Sequence, residues 1–491
     1  MIIRAKDVTE EFYNANREKK LYELLEIEPA LCAEYWLWDL ELSHRAEVVL
    51  NHYIYPPLFN NPEPTSTLPF ILEMTLETLR HVRNLGEECF VEVLEKLSEF
   101  AAWLLASEKA KRSPCVENEK KDGEAFAVRD GRLILYTGPG GDVTIPSDVR
   151  EIGFRAFFNC VGLTSVTISD NVESIGCSAF RGCSGLTSVS IGNGVTSIGN
   201  FAFSDCKGLT SVTIPDSVTS IENSAFYDCS GLTSVVWNAT NCTSAGEDYN
   251  SIFSGCTNLT TVTIGDNVEN IPAYAFSGCS GLTSVTIPDS VTSIGGSAFE
   301  DCSGLTSIII PDGVTSIGDH AFCDCTGLTS IIIPDSVTSI GSSAFRFCTG
   351  LTSISIPAGV TGIGEDAFYD CCRLTSIEVD AGNPTYRSEN NCLIEKETKT
   401  LVLGCETSVI PDSVTSIGDD AFRLCTGLTS ITIPAGVTRI ANRAFSGCSK
   451  LKSINFQGTR EQWESVDKGD DWDQGTGDYV IRCSDGEFTK K

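Results

Sequence analysis

Methionine and histidine are both scarce in this 491-residue chain, with two and four residues. Histidine is the side chain most often used for proton transfer near neutral pH. Three of the four, His44, His52 and His81, fall before residue 112, and the fourth is His320. The patterns G-x-S-x-G, H-E-x-x-H and G-x-x-x-x-G-K-[ST] are missing, which excludes the usual hydrolase, zinc-protease and phosphate-loop signatures. Gly138-Pro139-Gly140-Gly141 has no lysine or following helix and reads as a turn. C-x-x-C spacing is missing too, and Gly475 breaks the EF-hand spacing of the aspartates from Asp467 to Asp478. Neither a metal, a cofactor nor a catalytic residue is expected.

Positive charge is also in deficit. Lysine and arginine total 35 against 66 acidic residues, a formal charge of −31. Such a field repels phosphate backbones and anionic lipid, so nucleic acid is not an expected partner. Long apolar runs are lacking as well. Trp36–Leu42 and Phe100–Ala106 are short, so membrane insertion is not expected. Residues 1–20 show no apolar leader stretch, which points to a cytoplasmic chain.

Cysteine, by contrast, is plentiful at 22 residues. Twelve cysteines follow a phenylalanine by three positions: Phe157, Phe180, Phe203, Phe226, Phe253, Phe276, Phe299, Phe322, Phe345, Phe368, Phe422 and Phe445. The interval is 23 residues except for 27 between Phe226 and Phe253 and 54 between Phe368 and Phe422. A fixed period of this size is the mark of a solenoid in which one repeat is one coil. The cysteines then form a column of inward thiols acting as small hydrophobes. Free thiols fit a reducing compartment.

Residues 209–231 show one coil. Leu209, Val212 and Ile214 fit the L-x-x-V-x-I strand of a leucine-rich repeat, with Ser211 and Thr213 outward. Pro215-Asp216 turns the chain, Val218 and Ile221 return it, and Ala225, Phe226 and Cys229 close it. The expected class is α+β: an N-terminal helical bundle, then a leucine-rich repeat solenoid with 23-residue coils and a parallel concave sheet. The bundle is placed at 1–112, because Phe90, Val93, Leu94, Leu97, Ala101 and Leu104 share one helix face and three other amphipathic stretches precede them. A polar linker spans 113–124. The solenoid, opening on a β cap, spans 125–456, and a C-terminal cap and tail span 457–491. Glu378–Cys405 reads as a longer, hairpin-bearing coil.

The units LTSVTIPDSVTSIGGSAFEDCSG, the opening GRLILYTGPGGDVTIPSDVREIG and the ending FQGTREQW…YVIRCSDG resemble the BspA-like class of bacterial leucine-rich repeats over about 126–488. That resemblance implies a non-enzymatic surface for binding proteins. It also implies an alternative role as a cell-surface adhesin for host or matrix proteins. A further alternative is an enzyme whose site lies in the helical region.

The outward strand positions are the expected contact surface. They carry hydroxyls in most coils, but Ile309 and Ile332 interrupt the row beside Ser307 and Ser330. Ser353, Ser355 and Glu378 continue it. An apolar spot within a hydroxyl-lined face is the expected anchor for a protein partner.

Overall fold

The computed structural model describes residues 125–246 and 251–489, with Leu21, Leu25 and eight positions within 90–101. The α+β expectation is corrected. Among the described residues the protein is nearly all β, a parallel solenoid with no helical bundle. Helix is confined there to Arg460–Ser465 and to Leu21, Leu25 and the positions within 90–101. The other helices expected over 1–112, and the linker at 113–124, fall outside the described residues.

Each coil carries two strands rather than one. In the coil of Phe226, Ser211–Ile214 pairs in parallel with the next coil's Ser234–Trp237, placing Val235 beside Val212. Ser211 and Thr213 are exposed, and Val212 and Ile214 are buried. The second strand, Ser220–Ile221, pairs in parallel with Ser197–Ile198. Its two residues are too short for a periodicity to reveal, so the sequence shows only a returning Ile.

The third side of the coil is a tight turn around the phenylalanine. The residues two before and two after it are left-handed in most coils, as at Ser224 (φ 56°) and Asp228 (φ 52°). The later position is filled mainly by Asp, Asn or Gly, the residues that reach this region most cheaply. Phe347 (φ 58°) and Leu424 (φ 55°) are the bulky exceptions. Coils approach so closely that a Cβ on Gly231 would fall 2.3 Å from the Lys207 carbonyl oxygen.

Stacked rings and thiols fill the interior. Phe180 and Phe203 lie 5.0 Å apart at 3°, and ring separations from Phe157 to Phe368 run between 4.7 and 5.9 Å. The Phe203 carbonyl shows why cysteine suits its column. It accepts from the Cys206 amide of its own coil and from Cys229 Sγ of the next, at 3.1 Å. Threonine hydroxyls bond the coils outside, as from Thr210 to the Thr187 carbonyl and from Thr219 to the Thr196 carbonyl.

The 54-residue interval holds a second beginning. At the N-terminal edge, Phe126–Arg129 and Arg132–Tyr136 form an antiparallel hairpin with a bulge at Ala127/Val128, and the second strand pairs in parallel with Glu151–Ile152. Cys392–Glu395 and Thr400–Leu403 repeat that arrangement, with a bulge at Leu393/Ile394 and a parallel pairing to Ser416–Ile417. Alternation makes Cys392–Glu395 a wall between two cores. Leu393 joins the core before it, and Cys392 and Ile394 join the core after it.

Both ends are covered. Thr459 and Gln462 close a capping box on Arg460–Ser465, whose buried Trp463 meets Phe456 at 5.3 Å. The antiparallel pair Val480–Cys483 and Gly486–Thr489 then finishes the sheet. At the other end the described part of 90–101 lies against the first coils. Phe100 meets Phe154 edge-on at 6.4 Å, Glu99 pairs with Arg132, and Lys96 Nζ donates to Cys177 Sγ at 2.8 Å. These contacts lie on the flank of the first two coils, while the hairpin of Phe126–Arg129 and Arg132–Tyr136 covers the end of the stack.

Two outcomes follow from this core. A Phe299→Ala variant, which removes a ring stacked at 5.5 Å on both sides, should lose about 3–5 kcal/mol of stability in a urea titration. Burial also pushes the Cys348 and Cys448 thiols up to about 12, from an ordinary value of 9.0. The folded chain therefore holds these protons more tightly than the unfolded chain. Their contribution to stability is complete below pH 9 and declines as pH rises toward 12. A stability profile flat across that window would contradict this.

Candidate interaction surface

The longer strands of successive coils form one face, and their register fixes which side chains are neighbours. Ser307 lies beside Ser330, Ile308 beside Ile331 and Ile309 beside Ile332. Ile308 and Ile331 point into the core, so Ile309 and Ile332 are forced outward, 75% and 71% exposed. Asp312 and Asp335 stand exposed just beyond them. In the following pair of coils Ser353 lies beside Ser376 and Ser355 beside Glu378. Ser353, Ser355 and Glu378 are exposed, with Ile354 and Ile377 buried beneath. Val236, 36% exposed, is a lesser apolar break in the same face.

The turn side carries different chemistry. Near the start, a cavity of 480 Å³ is lined by Arg155, Phe158, Arg181, Asp205 and Lys207, among others. Its lining holds no histidine or cysteine. Lys207 already pairs with Asp228 at 3.0 Å, and Arg181 lies 3.8 Å from Asp205. Further along, the Tyr369 ring lies between the Arg346 and Arg423 guanidinium groups, 4.7 and 4.5 Å from its centroid. Arg423 and Arg443 both reach Asp420, at 3.0 and 2.9 Å. This network ties the coil of Phe368 to the coil of Phe422 around the inserted hairpin. Burial is the main cause that raises the Tyr369 hydroxyl above its ordinary value.

A second turn-side group draws together Glu300, His320 and Cys323, whose donor atoms lie within 4.8 Å of one another. Sequence reasoning missed it because the three residues belong to two coils. The available signal was Cys323, a cysteine outside the column and three residues after the lone histidine beyond residue 112. The docking of 90–101 was missed as well. Its signal was Phe154 and Cys177, which occupy the position that Asn200, Asn223, Asp319 and Asn442 hold in other coils.

Residues 141–248, 249–375 and 402–466 match the model of the BspA type leucine rich repeat region, in six copies. The chain belongs to the BspA type leucine-rich repeat family. A leucine-rich repeat protein from Bacteroides ovatus is 30% identical, with 73% of this chain and 90% of that one covered and a TM-score of 0.52. A leucine rich cell surface protein from Faecalibacterium prausnitzii is 31% identical, covering 71% and 97%, with a TM-score of 0.40. A leucine-rich repeat protein from Eubacterium ventriosum is 21% identical, covering 71% and 91%, with a TM-score of 0.37. No curated protein matches the chain. Among the described residues, no helix of this family member is long and apolar enough to cross a membrane.

Proposed function

We propose that this chain is a non-enzymatic interaction module that binds a protein partner on the face formed by its longer strands. The observation that carries the reading is the Ile309–Ile332 pair. Two large aliphatic side chains stand exposed side by side in rows otherwise rich in serine and threonine. Removing such a pair from water favours association, and Ser307, Ser330, Ser353, Ser355 and Glu378 supply a polar rim. The charge of −31 and the nearby Asp312 and Asp335 favour a partner with a basic surface. The leucine-rich repeat fold is consistent with such a module.

A reducing compartment is the proposed setting. Column thiols such as Cys206 and Cys229 donate to backbone carbonyls of the preceding coil. Finding the native protein on intact cells, open to added protease, would overturn that placement and favour an adhesin.

An Ile309→Asp/Ile332→Asp double variant tests the interaction. Both positions are exposed, so the variant should keep its thermal stability within about 0.5 kcal/mol per site. Partners captured by the full chain should be lost, since a buried anchor costs roughly 2 kcal/mol or more when removed. Equal capture by the folded variant would reject this surface.

A further inference from the structure

One side-chain cluster lies apart from the proposed contact face. Glu300 and Cys323 each follow a stacked phenylalanine by one residue, so they hold the same position in adjacent coils. Other coils place Ser204, Ser254, Ser277 or Ser446 there. His320 precedes Phe322 by two, where Ser178, Ser224, Ser297 and Ser343 stand in their own coils. A single coil has therefore exchanged both of these common serine positions for the two side chains that best ligate transition metals, and its neighbour adds a carboxylate. The left-handed backbone at His320 (φ 56°) sets the imidazole beside Cys323.

We propose that Glu300, His320 and Cys323 bind one zinc-class divalent ion. The three donors lie within 4.8 Å of one another. Tetrahedral zinc bonds of about 2.0–2.3 Å hold their donor atoms roughly 3.3–3.5 Å apart. Glu300 and His320 are half-buried and Cys323 is buried. A donor set of one sulfur, one imidazole nitrogen and carboxylate oxygen selects zinc over calcium or magnesium, which take oxygen alone. Arg346, the nearby cation, is engaged with the rings of Phe347 and Tyr369 at 4.7 Å. The bound ion joins the coil of Phe299 to the coil of Phe322.

Cobalt titration of the reduced, metal-stripped full chain tests the site, because cobalt reports sulfur ligation by a thiolate charge-transfer band. The expected result is one cobalt per chain with that band, displaced by zinc. Cys323→Ser should abolish the band, whereas Cys372→Ser, at a partly exposed cysteine outside the column, should keep it. His320→Asn should weaken binding at least tenfold, roughly the least that losing even an outer-shell partner costs. Should Cys323→Ser fail to fold, His320→Asn and Glu300→Gln at the half-buried positions decide the matter. Absence of saturable binding, or unchanged affinity in His320→Asn, would overturn the site.

Discussion

In-register stacking of one coil on the next is the constraint on which everything else depends. A single coil buries its Phe, Cys, Leu, Val and Ile side chains only because another coil covers them. The same contact satisfies the backbone. The Phe203 amide, for instance, donates to the Ala225 carbonyl one coil on, at 2.7 Å. Phenylalanine rings at about 5 Å and threonine hydroxyls on neighbouring carbonyls repeat that link along the chain. A side chain at one repeat position therefore lies beside its counterpart in the next coil wherever the stack is unbroken.

That rule turns small departures into local chemistry. Replacing threonine by Ile309 and Ile332 in successive coils makes an apolar pair, because the register sets them side by side on that row. Placing Glu300 one coil before Cys323 makes a donor cluster by the same logic. Tyr369 and Arg423 obey it too, meeting across an inserted hairpin that leaves their turn side adjacent. The buried column, identical from coil to coil, offers no such distinction. Its thiols are held protonated by burial and bonded to carbonyls.

Much of this was legible in the residues. The interval between phenylalanines, the alternation of Val212 and Ile214 with Ser211 and Thr213, and the outward direction of Ile309 and Ile332 all follow from a period and a pleat. The second strand was not legible, since two residues such as Ser220–Ile221 carry no measurable alternation. The α+β class was misjudged for a different reason. Amphipathic spacing before residue 112 shows that a helix face must be buried but not against what. The described part of 90–101 meets Phe154 and Cys177 of the solenoid.

The amino-acid sequence by itself determined the coil, its period, its buried column and its family, because these are local patterns repeated many times. Tertiary structure decided the neighbours. The hairpin at Cys392–Leu403 reproduces the opening bulge and divides the core in two, and Asp420 gathers Arg423 and Arg443. His320 and Cys323 find Glu300 only when two coils are stacked. Spacing along a chain specifies which way a side chain points. Which groups it meets depends on the register between coils, a distance that exists only after folding.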